Sequence, residues 1–233
     1  MPDNRTLMQR FVPERIVLTF HGIGTPGRPL ASGEEPFWVS EAAFSDAVAA
    51  ASESRTVEIT FDDGNASDIE IALPLLKDAG TTATFFILAG RLGEPGSLSP
   101  HDLARLVAEG MTVGSHGADH IDWTRASDPA MHRELYDARV RIEDAAGIAI
   151  DKLSVPFGAF DTRTLKLAAA AGYRSVHTSS GGVAARGAWL VARNTVRRDL
   201  SARTLIRRLD GWQARLEAAF KGPIRAWKHD VPL

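Results

Sequence analysis

The chain of 233 residues contains no cysteine, which excludes a disulfide framework and thiolate chemistry. It has no basic surplus: 27 Lys and Arg stand against 29 Asp and Glu, a net charge of −2, so nothing in the composition recruits nucleic acid or an anionic membrane surface. No apolar run reaches the length of a membrane-spanning helix. The first residues, MPDNRTLMQRFVPER, are polar and lack the apolar centre of a secretory signal, so the expected location is cytoplasmic, without membrane insertion. Internal repeats and low-complexity segments are also missing. What remains is a chain with 44% hydrophobic residues, enough for one core and one large domain over residues 1–233.

Its alternation of elements is regular. Strands are expected at 15–20, 57–61, 83–88, 111–115, 152–156, 173–178 and 189–196, the third a continuous apolar run typical of a fully buried strand. Between them lie helix patterns with readable starts. Ser40 caps a helix through Ala51, Ser99-Pro100 opens one through Glu109, Asp128-Pro129 one through about Ala146, and Asp161 one through Ala171. Further helices are expected over Ser67–Lys77 and Ser201–Ala219, with the tail to Leu233 undecided. The Pro- and Gly-rich segment from Thr25 to Pro36 is a loop suited to one wall of a cleft. Strands alternating with helices argue a parallel α/β sheet, and about seven such units suit a (β/α) barrel, whose chemistry gathers at the C-terminal ends of its strands. His21, Asp62, Asp63, His116 and His120 all follow directly on expected strands.

The central stretch is Thr60-Phe61-Asp62-Asp63-Gly64. Adjacent residues leaving a strand point to opposite sides, so one carboxylate can face a metal and the other a substrate. An Asp-Gly turn with two solvated carboxylates is the plainer alternative. The second cluster is Ser115-His116-Gly117-Ala118-Asp119-His120. On a helical turn its two imidazoles, four residues apart, share a face and reach one ion. Two His and one Asp form a ligand set that leaves coordination positions open, with zinc the default and Co, Mn, Ni or Fe compatible.

TFDDG followed by SHGADH resembles the first two motifs of the polysaccharide deacetylase family (NodB homology, carbohydrate esterase family 4), over about residues 15 to 200. Gly117 stands where that family usually has Ser or Thr. The resemblance implies a distorted (β/α) barrel of about seven strands and a divalent metal held by Asp63, His116 and His120. It also implies that Asp62 is the base for an attacking water, and that the substrate is an N- or O-acetylated sugar or saccharide intermediate. A cytoplasmic chain would meet such a sugar in nucleotide- or lipid-linked form. The family's third motif, R-x-P-x-G, reads Ser154-Val155-Pro156-Phe157-Gly158. The resemblance puts Pro156, Phe157 and Gly158 along the substrate, with the Phe157 N–H at the oxyanion, whereas the residues alone also read as a Pro-Gly turn. The motif's Arg is missing, and Arg193, Arg197 or Arg198 could replace it or be surface charge.

The family's C-terminal histidine motif is missing too. Leu18-Thr19-Phe20-His21 resembles the version found in circularly permuted members, which makes His21 the expected general acid, with His177 the alternative and a satisfied core histidine possible for both. His101, His132 and His229 read as surface. Asp119 is either a partner of the metal ligands or a turn residue, and Asp161 a helix cap. Trp38, Trp123 and Trp189 are candidates either for sugar stacking or for packing. Two other functions fit the same residues: hydrolysis of a small non-sugar amide or cyclic imide, which Ser154 permits, and a non-catalytic saccharide-binding relative.

Overall fold

Side-chain parity along the strands sets the architecture. In β1 (Ile16–Phe20), Ile16, Leu18 and Phe20 join the main hydrophobic core, whereas Val17 belongs to a separate small cluster with Ala184 and Val191. In β4 (Val57–Phe61), Val57, Ile59 and Phe61 join the same core, and Thr60 turns the other way to meet Thr19, their hydroxyls 2.9 Å apart. One side of each strand therefore faces covering helices, and the other faces an interior shared by all strands.

The computed structural model describes residues 15–54 and 56–210. Two short strands, β2 (Gly22–Ile23) and β3 (Trp38–Val39), pair as a separate ribbon beside β1. The remaining strands are β5 (Ala83–Ile87), β6 (Thr112–Ser115), β7 (Lys152–Ser154), β8 (Ser175–Thr178), β9 (Leu190–Ala192) and β10 (Asn194–Thr195). With β1 and β4 they form one parallel sheet, in the order β10-β1-β4-β5-β6-β7-β8-β9. β9 and β10 are two halves of one strand interrupted at Arg193. The first half pairs with β8 and the second with β1, which nearly closes the sheet into a barrel. The single strand expected over Trp189–Val196 is thus found as a broken one, and the barrel has seven strands when its halves are joined.

Helices cover the outside. α1 (Glu41–Ser52) starts at Ser40, whose hydroxyl accepts from the Ala43 N–H, and it brings Phe44 into a ring cluster with Phe20, Phe61 and Phe85. α2 (Leu73–Asp78) is shorter than expected. Asp68–Ala72 before it is a π-turn, and Pro74, which has no N–H to continue an earlier ladder, sits in its first turn. α3 (Pro100–Ala108) carries a reciprocal Ser99–Asp102 capping box. α4 (Asp128–His132) runs through a π-turn at Arg133–Asp137 into α5 (Ala138–Ala146). α6 (Thr162–Ala170) is capped by Asp161, and α7 (Ala202–Leu209) by Ser201. The end of the helix expected to Ala219, and His229, lie outside the described residues. No helix among the described residues is long and apolar enough to cross a membrane.

Candidate metal centre

At the C-terminal ends of β4 and β6, Asp63, His116 and His120 converge, with one potential ligand atom from each lying within 4.8 Å of the others. The His116 and His120 Nε2 atoms are 3.6 and 3.7 Å from Asp63 Oδ1. His116 is fixed further: its Nδ1 lies 2.8 Å from the Ser154 carbonyl oxygen, which can only accept. The proton therefore sits on Nδ1, and Nε2 keeps its lone pair toward Asp63. Asp63 Oδ1 is buried and has no hydrogen-bond partner. A buried carboxylate oxygen left bare opposite two imidazole Nε2 atoms costs free energy unless a cation joins them, so the donor set fits a divalent metal. Burial pushes the His120 imidazole down to about 4, opposed by Asp63, which keeps it unprotonated and able to ligate at neutral pH.

Their local backbone is unusual. Asp63, His120 and Phe157 have positive φ (79°, 55° and 57°), and they are the three non-glycine residues that do so among the described residues. Such conformations cost about 1–3 kcal/mol each and persist where surrounding structure enforces them, typically at functional sites. The His pair does not sit on a helical turn as its spacing predicts. Residues 116–120 form a loop after β6, and the imidazoles meet because that loop folds back at Gly117 and His120.

Asp62 is 2% exposed and points into the barrel interior. Arg193, itself 0% exposed, grips it with both forks: Nη1 to Oδ1 and Nη2 to Oδ2, each 2.7 Å. The same guanidinium reaches Ser154 Oγ at 2.6 Å and Thr60 Oγ1 at 3.3 Å, and Ser154 Oγ donates to Asp62 Oδ2 at 3.2 Å. Burial alone would raise the Asp62 carboxyl. Attraction to Arg193 and the Arg193 hydrogen bonds outweigh it and hold the group well below the usual carboxylate range.

Of the three candidate arginines, then, Arg193 meets Asp62. Arg197 pairs with Asp199, and Arg198 with Glu35 and the Trp38 carbonyl. A long side chain at position 154 would collide with the Arg193 guanidinium, so the small Ser154 and the inward Arg193 belong together. The sequence signal was the missing Arg at 154 combined with an Arg within the strand expected over 189–196.

His21 follows β1 on the interior parity. Its Nδ1 is buried without a partner, its ring lies 5.1 Å from Phe37, and its carbonyl accepts from Asn65 Nδ2 at 2.7 Å. It is near enough to Asp62 to add to the lowering of that carboxyl. His177 is different: 4% exposed, packed 4.8 Å from Phe86, with Nε2 turned back along β8 to Ser175 Oγ at 3.2 Å.

Pro156–Gly158 forms a tight 3-10 turn after β7 in which Phe157 is left-handed and 65% exposed, its ring 4.3 Å from that of His120. The Gly158 and Ala159 N–H groups are spent on the Val155 and Pro156 carbonyls. All three candidate tryptophans are packing residues. Trp38 and Trp123 are 2% and 0% exposed, and Trp189 donates to the Tyr173 carbonyl. Asp119 pairs with Arg133 at the surface, and Asp161 is a cap.

Fold and site together define an α/β-barrel protein with a carboxylate–imidazole centre on the face where its strands end. The polysaccharide deacetylase family model matches residues 49–176, and the chain belongs to that family. It is 31% identical over 144 residues to a chitooligosaccharide deacetylase of Rhizobium leguminosarum bv. trifolii, covering 61% of this chain and 63% of that one. A peptidoglycan-N-acetylglucosamine deacetylase of Listeria monocytogenes, PgdA, is 29% identical over 107 residues, 46% of this chain and 22% of that one. The chain thus spans less than two thirds of the length of these curated relatives. The fold matches Streptococcus pyogenes deacetylase PplD with a TM-score of 0.74 and 20% identity, over 86% of this chain and 100% of that one.

Proposed function

We propose that this chain is a metal-dependent hydrolase that removes acetyl groups from an N- or O-acetylated saccharide. The observation that carries the reading is the juxtaposition of two carboxylates with opposite duties: Asp63, bare toward the Nε2 atoms of two imidazoles, and Asp62, gripped by both forks of Arg193. A binding module has no use for an ionised buried carboxylate beside a metal triad. The relatives, which deacetylate chitooligosaccharide or peptidoglycan, support an acetylated sugar as substrate.

Asp63, His116 and His120 hold the divalent ion, by ligand type zinc, with Co, Mn, Ni or Fe also accommodated. When bound, such an ion lowers the pKa of water and polarises an acyl carbonyl. Asp62 accepts the proton of the attacking water, and its low affinity for protons keeps it available as a base at neutral pH. The Phe157 N–H serves the developing oxyanion, since its neighbours' N–H groups are already used; one such donor is worth about 3 kcal/mol. Pro156 and Gly158 fix that turn along the substrate. His21 gives its proton to the leaving amine or hydroxyl, while His177, turned toward the start of its strand, remains a core residue.

The test is metal content together with acetate release from a panel of acetylated sugars and, for small amides and cyclic imides, appearance of the free amine or of the ring-opened acid, with Zn or Co added. Asp62→Asn should lose about 10²–10⁴ in rate and keep its metal, His116→Ala should lose the metal, and His21→Ala should lose rate alone. Turnover confined to the non-sugar amides or imides would replace the substrate class. Stoichiometric metal with no turnover on any of the panel would make the protein a binding relative.

A further inference from the structure

The loop that carries His120 is held by a buried carboxylate that neither binds metal nor reaches substrate in the scheme above. Glu134, 1% exposed, lies on the π-turn between α4 and α5. Its Oε2 accepts from the Ala118 N–H at 2.8 Å and from Trp123 Nε1–H at 3.2 Å, and its Oε1 accepts from the Asp119 N–H at 3.1 Å. A π-turn widens a helix by one residue and is common beside functional sites. Three oriented N–H groups thus converge on the Glu134 carboxylate beside the metal centre.

Gly117 shows how closely the pieces fit. With φ at +83°, it has no room for a side chain. A Cβ there would overlap Glu134 Oε2 and come within 2.8 Å of the Trp123 indole. The hydroxyl residue usual in the motif is absent, and Glu134 and Trp123 occupy the space. On the other side the loop is strapped by the Ala89 and Gly90 N–H groups, which donate to the Gly117 and Ala118 carbonyls.

We propose that Glu134 is a positioning residue for the metal centre. Its carboxylate fixes the backbone of residues 118 and 119, and so holds His120 in the left-handed conformation that aims Nε2 at Asp63. Trp123 orients the carboxylate, and Gly117 makes room for it. The inference rests on the reading that Asp63, His116 and His120 hold a metal. Removal of groups that orient metal ligands typically weakens binding about 10- to 100-fold.

The experiment is titration of the full chain with Zn(II) against a chromogenic chelator, together with the visible spectrum of the Co(II) form. It compares wild type with Glu134→Gln, Gly117→Ala and Trp123→Phe. Glu134→Gln puts an amide NH₂ where N–H donors need an acceptor, and should raise the metal Kd about 10- to 100-fold and alter the Co(II) bands, with circular dichroism unchanged. Gly117→Ala should act in the same direction by displacing the carboxylate, and Trp123→Phe more weakly. Should Glu134→Gln fail to fold, Trp123→Phe, which removes one donor to the same carboxylate, decides. Wild-type affinity and spectrum in the folded variants would overturn the role of Glu134 alone. A wild type that binds neither ion would overturn the metal reading and this inference with it.

Discussion

At the scale of single residues, the pair Asp62–Arg193 is costly to maintain. Both groups are taken out of water, and what compensates is a two-pronged hydrogen-bonded fork plus Ser154 and Thr60. Arg193→Met would leave Asp62 buried and unpaired. We expect it to cost about 3–5 kcal/mol of stability, the usual penalty for breaking a buried pair. A second effect has a definite sign. Without Arg193, burial dominates and the Asp62 carboxyl rises, so the acid limb of the pH–rate profile on an acetylated saccharide moves to higher pH. Arg193→Lys keeps a cation but loses the fork, and should fall between the two. An acid limb at the same pH in wild type and Arg193→Met would exclude Arg193 as the group that keeps Asp62 ionised.

At the scale of elements, most of the architecture was legible because its signals are local. Apolar runs bounded by turn residues gave the strands, and Ser40, Ser99 and Asp161 announced helix starts that the side-chain hydrogen bonds bear out. Features set by distant parts of the chain were not legible. The break at Arg193 exists because β9 and β10 pair with β8 and β1, strands far apart in sequence. The His116–His120 spacing suggested a helical turn, but Glu134, sixteen residues beyond Ala118, holds a loop there instead. The tryptophans were ambiguous since burial depends on what packs over them. The local signals carry energy as well. In α3 the Asp102 carboxylate accepts from the Ser99 N–H at 2.8 Å, and the Ser99 hydroxyl accepts from the Asp102 N–H at 3.2 Å. Asp102→Ala should cost about 1 kcal/mol, a fall of about 2–4 °C in Tm for a chain of this size. It should leave kcat alone, because α3 lies on the outer layer. An unshifted Tm in calorimetry would mean the box contributes nothing.

At the scale of the whole molecule, the barrel interior buries polar groups beside the small apolar cluster of Val17, Ala184 and Val191, and this makes stability depend on pH. His177 is the clearest case. Burial lowers its imidazole well below the ordinary value, and the positive charges of Arg193, Arg15 and Lys152 add to that, against a smaller opposing pull from Asp62. In the unfolded chain a histidine takes up a proton below about pH 6.5. The folded protein does not, so the unfolded state binds more protons there, and stability must fall as pH drops from about 6.5 toward the folded value. Above pH 6.5 neither state is protonated at this site and the contribution vanishes. One such group supplies a slope approaching about 1.4 kcal/mol per pH unit. His120 acts in the same direction and Asp68, whose buried carboxyl is raised by burial and by Asp63 and Asp62, in the opposite one. Both are common to wild type and a His177→Gln variant, so the difference between the two proteins isolates His177. Denaturant unfolding from pH 8 to pH 5 should give parallel behaviour above about pH 6.5 and a shallower decline in His177→Gln below it. Curves that stay parallel down to pH 5 would mean that His177 takes up a proton inside the folded barrel, beside Arg193, and that the interior is wetter than its closed packing implies.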